Sequence, residues 1–239
     1  MNPIELKTLR QIISENLSAA DVFYQHGIDL FTDETKTLAE TCQQQSLNLN
    51  FIEKELLASV NRGTKHYTRW EPDYLIDHIV NKHHYFVWVN LPVIKEYALK
   101  VSRAQGQQYP VTIQVNRLFK ELATEMETHL DNQEHHIFPY IKRLVFAKRD
   151  KQQVEKESLE LSVLSMKAEF ECFTAKINLM VSLLKSADIS NQPGSTASVL
   201  LYKLRLFKHD FYQHVHLESN ILFPQALKLE TEIGSRENN

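Results

Sequence analysis

The chain repeats itself. His129-Leu130-Asp131-Asn132-Gln133-Glu134-His135-His136-Ile137-Phe138-Pro139 aligns without a gap on His214-Val215-His216-Leu217-Glu218-Ser219-Asn220-Ile221-Leu222-Phe223-Pro224. Each copy opens on a His and closes on a Phe-Pro pair at the same spacing. An internal repeat reads as one supersecondary unit used twice. In the second copy His214 and Glu218 stand at i and i+4, one turn apart on one helix face. Imidazole and carboxylate so placed are what a metal site inside a helix bundle requires. The first copy has Gln133 where the second has Glu218. The repeat therefore points to a metal site with one of two matched carboxylates missing.

The rest of the chain supports helices. With 239 residues there is room for one large domain or for a small and a medium one. Only 5 Gly and 7 Pro are available for the tight turns of an all-β fold. Runs rich in Leu, Lys, Glu and Ala favour helix. A net charge of −3 leaves no nucleic-acid footprint. The apolar runs are far shorter than a membrane span, and the first residues lack the apolar stretch of a signal peptide. The 2 cysteines, Cys42 and Cys172, form no CxxC and fit a reducing cytoplasm. The count of 11 His is the compositional hint of metal chemistry.

The patterns divide the chain in two. Residues 1–62 read as a small helical domain of four short helices. Leu6, Leu9, Ile12 and Ile13 form the first apolar stripe. Ser18 caps a second helix that Gly27 ends, and a third starts at 33–35 and carries Cys42. Asn48 or Asn50 starts the fourth, with Ile52, Leu56 and Leu57. Residues 63–71 are expected to link it to a second domain at 72–239, with the stretch from Asn61 to His66 reading as linker. There the helical patterns are long: about 73–100, broken or kinked at Pro92; 112–148; 157–185; and 197–229. The polar tail 234–239 is expected to fray. Four long helices with short connections make an antiparallel bundle, so the fold class is all-α.

Candidate ligands follow from the repeat. His129 is offered by the second long helix, His214 and Glu218 by the fourth, and His83 and His84 by the first. His84 precedes His129 by 45 residues, and nearly the same offset before His214 falls on Phe170, with Glu169 beside it. A His on a helix is more often a surface or hydrogen-bonded residue than a ligand. Two at equivalent repeat positions, one with a carboxylate a turn away, bring the metal reading level with that one. His78, His83, His135, His209 and His216 read as surface or supporting residues. The Phe-Pro pairs read as structural, with Phe packed in the bundle and Pro tightening the helix end.

These residues resemble a known family. Leu75-Ile76-Asp77-His78-Ile79-Val80, then His84, then Leu91-Pro92, look like the start of a hemerythrin-like domain of the repair-of-iron-centres type. The two repeat copies look like its His-x-x-x-Glu helices. Phe23-Tyr24-Gln25-His26-Gly27-Ile28-Asp29, followed by Thr37-Leu38-Ala39-Glu40, is similar to the small ScdA-type domain that precedes the bundle in that family. The resemblance spans nearly the whole chain. It implies a non-haem di-iron centre that takes a His from each bundle helix and two bridging Glu. It also implies a role in protecting or restoring iron–sulfur clusters under nitrosative or oxidative stress, with nitric oxide or dioxygen as ligands, damaged iron–sulfur proteins as clients, and a homodimer.

Carried over residue by residue, the resemblance makes His84, His129, His214 and Glu218 ligands. Gln133 stands in place of the other bridging Glu, and Phe170 in place of the third-helix His. The family's Cys pair in the small domain falls at Phe31 and Thr32, and its Gly pair at Asp33 and Glu34. A Gln offers one neutral carbonyl oxygen and cannot balance charge as a carboxylate does. His84, His129 and Glu218 then have the composition of a two-His-one-carboxylate site for one ferrous ion. Glu125, Glu169, Gln133 and His136 are candidate substitutes. His136, seven residues after His129, is expected to face the site and cap it or bond Gln133. The cofactor expected is iron, one or two ions, with manganese and zinc also compatible. The competing reading is a bundle that has lost catalysis and serves as a metal-free or gas-sensing interaction module. Whether the chain is an enzyme stays open between the two.

Overall fold

The computed structural model describes residues 3–16, 19–28, 35–62, 67–152, 154–155, 157–187, 189 and 195–234. The chain divides into two compact units, Met1–Trp70 and Glu71–Asn239. Expectations placed on Ser18, on positions 29–34, on 63–66 and on the tail beyond 234 lie outside the described residues.

Among the described residues the first unit holds four short helices after a 3-10 turn at Ile4–Leu6: α1 (Leu9–Glu15), α2 (Ala19–Gln25), α3 (Leu38–Gln44) and α4 (Leu49–Arg62). Two of their starts are matched. Thr8 and Thr37 each accept a hydrogen bond from the backbone three residues on, at Gln11 and Glu40, whose side chains bond back to the cap. This reciprocal capping satisfies two orphan donors at each start. The helix that carries Cys42 thus has its cap at Thr37 and its first turn at Leu38. Asn48 Oδ1 accepts from the Phe51 N–H at 3.1 Å and starts α4. That helix runs through Asn61 and Arg62, which were expected in the linker. Gly27, at φ +69°, follows α2, a left-handed conformation that costs a residue without Cβ little. Leu9, Ile12 and Ile13 are buried as expected, but Leu6 lies in the 3-10 turn and Leu57 on the outer face of α4, both exposed.

The second unit is a bundle of four long helices. α5 spans 72–105, α6 spans 111–150, α7 is Leu159–Ser186 and α8 spans 196–234. α5 packs on α6 and α8, and α7 packs on the same two, closing the ring. Apolar residues recur at three- and four-residue steps along each inner face. On α6 they include Phe119, Leu122 and Met126; on α8, Leu204, Phe207 and Phe211. Continuing those stripes by the same steps lands on His129 and Gln133 in α6 and on His214 and Glu218 in α8. The polar site residues are buried because they occupy core positions.

Three of the four helices change register in this layer. α5 contains a π-helical stretch at Ile79–His84, α6 one at Gln133–Ile137, and α8 one at Leu217–Leu222. The Phe138 N–H bonds the Gln133 carbonyl and the Phe223 N–H bonds the Glu218 carbonyl, both five residues back. The next residue is Pro139 or Pro224. Having no N–H, it cannot extend the five-residue ladder. The Phe-Pro pairs therefore end π turns inside continuous helices, where the sequence was read as tightening helix ends. α7 runs as α-helix throughout. Pro92 does not break α5, which continues to Gln105. Pro92 has no N–H to offer the carbonyl four residues back, that of Trp88, which is an exposed residue.

Candidate metal centre

Two helices bring one buried cluster together, and a third supplies a hydrogen bond to it. His84 on α5 and His214 and Glu218 on α8 are each at most 1% exposed. Their ligand atoms all lie within 4.8 Å of one another. His84 Nε2 is 3.3 Å from His214 Nε2 and 3.8 Å from Glu218 Oε1, and His214 Nε2 is 2.8 Å from Glu218 Oε1. Gln133 on α6, fully buried, donates from Nε2 to Glu218 Oε2 at 2.8 Å and reaches Met166 Sδ on α7 at 3.4 Å.

Carboxylates orient the imidazoles. Glu134 Oε1 lies 2.8 Å from His84 Nδ1. A carboxylate only accepts, so Nδ1 carries the proton and the Nε2 lone pair faces the cluster. Glu169 Oε2 does the same for His129 Nδ1 at 2.6 Å, and Asp210 Oδ1 for His83 Nδ1 at 3.0 Å. Such outer partners fix ring orientation and raise ligand basicity. The Phe138 ring of the first repeat stacks on His84 at 5.5 Å between centroids, and His83 stacks on His214 at 6.1 Å.

Burial sets the charges. It pushes His214 below its ordinary value, outweighing the pull of Glu218, and His84 and His83 push the same way. Burial alone would raise Glu218. The charge and hydrogen bond of His214, with His84 close by, outweigh it and hold the carboxyl below the usual carboxylate range. A neutral His214 offers no full charge, so the hydrogen bonds to Glu218, that of Gln133 included, are the firmer cause. The centre sets an anionic Glu218 carboxylate beside a His214 ring that burial keeps neutral.

The sequence expectations divide here. His84, His214 and Glu218 converge. His129 is buried but stands outside that group, against Phe170 and Phe173 at 5.2 and 5.5 Å between ring centroids. Its Nε2 is buried with no hydrogen-bond partner. The two His and one carboxylate that the structure brings within ligand distance of one another are His84, His214 and Glu218, where the sequence reading grouped His84, His129 and Glu218. Glu169 is spent on His129, and Glu125 is paired with Lys176. His136 is exposed, which overturns the expectation that it caps the site. Among the residues of the α6 π stretch only Gln133 is buried, whereas Leu217, Glu218, Ile221 and Leu222 are buried in its α8 counterpart. Equivalent positions in the repeat therefore meet different surroundings. His83 is buried, so of its two readings the supporting one holds. Glu134 and Asp210 were missed. Asp210 stands four residues before His214, a spacing that could have flagged it; Glu134 touches a helix 50 residues away, which spacing cannot reveal.

The donor set fits one divalent cation. An ion about 2.1 Å from each ligand atom spaces those atoms roughly 3.0–3.4 Å apart. The three edges seen, 3.3, 2.8 and 3.8 Å, bracket that range. The His214 Nε2 proton that now bridges to Glu218 is the one such an ion would displace.

A buried cluster of this composition on the inner faces of a four-helix bundle defines a cation-binding bundle protein. The chain belongs to the hemerythrin family, for the hemerythrin HHE cation binding domain matches residues 74–226. It is similar to a probable iron-sulfur cluster repair protein of Haemophilus influenzae, 27% identical over 217 residues that cover 87% of this chain and 91% of that protein. It is also similar to the iron-sulfur cluster repair protein YtfE of Yersinia pestis, 22% identical over 214 residues covering 89% and 92%. No helix among the described residues is long and apolar enough to cross a membrane.

Proposed function

We propose that the protein is a non-haem iron protein of the iron–sulfur cluster repair type, acting in the cytoplasm under nitrosative or oxidative stress with an atypical site for one or two ions. The observation that carries this reading is the buried His84–His214–Glu218 cluster within a bundle whose relatives are named for cluster repair. Bound iron would supply a redox-active centre with open positions for nitric oxide or dioxygen. His84, His214 and Glu218 would hold it. Glu134 keeps the His84 lone pair inward, and Phe138 shields that ring. Clients are damaged iron–sulfur proteins, and the chain pairs as a homodimer, a state that light scattering tests. The direct test uses an iron–sulfur enzyme inactivated by nitric oxide or peroxide. Iron-loaded protein is expected to speed recovery of its activity over metal-free protein; equal recovery with both would sink the reading.

One observation favours a second reading, a bundle that works without metal. Gln133 and His214 already satisfy both oxygens of Glu218. On that reading anaerobic loading with ferrous iron leaves the protein empty, and the bundle serves as an interaction or gas-sensing module.

A further inference from the structure

We infer that this centre holds one divalent cation per chain, on the His84–His214–Glu218 side, and that its His129 side is closed to a second. The inference rests on the metal-binding reading above. Glu218 has two oxygens and they face different partners. Oε1 lies with His214 and His84 Nε2, and Oε2 accepts the amide of Gln133. To bridge two ions, Oε2 would have to give up that amide. The amide also reaches Met166, so it fills the space between α6, α7 and α8 on the Oε2 side.

Beyond it stand apolar rings. Phe170, 3% exposed, packs against His129, Phe211 and His214 with centroids 5.2, 5.9 and 6.3 Å apart. Phe173 packs on the other rings of the same layer. Neither offers a ligand atom, so the unpartnered acceptors that α6 brings to this layer are His129 Nε2 and the neutral amide oxygen Gln133 Oε1, with no carboxylate beside them. Charge points the same way. Glu218 is the one carboxylate among the described residues that is fully buried within this layer. Counting Glu218 and the ions alone, one divalent ion leaves one net positive charge and two leave three, while Glu134, Asp210 and Glu169 on the outer nitrogens of the rings add the same negative charge in both cases. An uncompensated charge in a buried site is costly, and each further one more so.

The test is metal stoichiometry of the full chain. Metal-free protein is titrated anaerobically with ferrous iron and with cobaltous ion, reading bound metal by elemental analysis and cobalt by its visible spectrum. Wild type is expected to saturate at one equivalent. Glu218→Gln is expected to weaken binding by more than about a hundredfold, a loss beyond what outer partners contribute. His129→Gln is expected to shift affinity by less than about threefold, well below that range. The double variant Gln133→Glu/Phe170→His is expected to take up two equivalents. Two equivalents in wild type, or loss of binding in folded His129→Gln, would overturn the inference and leave the metal-binding reading standing. A natively helical double variant that stops at one would overturn the part given to Gln133 and Phe170. No uptake by wild type would overturn both the inference and that reading.

Discussion

Replacing Gln133 by glutamate sets a second carboxylate against Glu218 in a fully buried place. The amide nitrogen of Gln133 lies 2.8 Å from Glu218 Oε2. Two unit charges at that separation repel by about 6 kcal/mol at an effective dielectric of about 20. The pair escapes this by retaining one proton. Holding a carboxyl protonated at about pH 8 costs about 5 kcal/mol, from about 1.4 kcal/mol per pH unit above an ordinary value near 4.3. At about pH 5 the same proton costs about 1 kcal/mol. The deficit of Gln133→Glu relative to wild type, both metal-free, is therefore expected to shrink by about 4 kcal/mol between those two pH values. Wild type runs the other way. Glu218 sits below the usual carboxylate range, so its contribution is present above 4.5 and is lost as pH falls through the folded value. His214 is also held below its ordinary value, so its contribution is full above 6.5 and is lost as pH falls below it. Urea denaturation with chelator present, followed by circular dichroism at both pH values, measures the difference. A deficit that does not change with pH would refute the reasoning, because the new carboxyl would then be in water and not against Glu218.

Three further outcomes follow from the packing and the hydrogen bonds. Glu134→Gln takes the charge from the partner of His84 Nδ1 and is expected to weaken cobalt binding about 10–100-fold by calorimetry; unchanged affinity would mean that Glu134 does not orient the ring. Phe170→Ala removes a ring from a filled layer and is expected to cost about 3–5 kcal/mol in denaturation, and a loss under about 1 kcal/mol would show that the layer is not tightly packed. Tyr140 donates to the buried Glu230 at 2.7 Å and accepts from the Glu157 N–H at 3.2 Å. Tyr140→Phe is thus expected to cost about 1–3 kcal/mol. Burial and then the bond to Glu230 push that phenol up to about 12. Its contribution is whole below its ordinary value of 10.0 and declines as pH rises toward the folded one. A wild type and a Tyr140→Phe variant that lose stability in parallel across that alkaline range would contradict this.

The sequence by itself determined the helices, their bundle and the positions that reach its core. Apolar residues every three or four positions force one inward face, and His129, Gln133, His214 and Glu218 fall on that face by periodicity. The repeat also carried the loss of a carboxylate at Gln133, because aligned positions compare side chains directly. It could not carry the π turns, whose hydrogen bonds depend on three helices meeting at one layer. Nor could it carry the opposite fates of His136, exposed, and Ile221, buried, since the two copies pack against different neighbours. Only the tertiary structure decided which imidazoles act together. A ring has two nitrogens, and a partner on another element chooses which one faces the site: Glu134 for His84, Glu169 for His129. Those partners lie 50 and 40 residues from the rings they turn. His214 is set by Glu218 on its own helix and meets His84 there, while His129, aligned with His214 in sequence, meets Phe170 and Phe173 from α7.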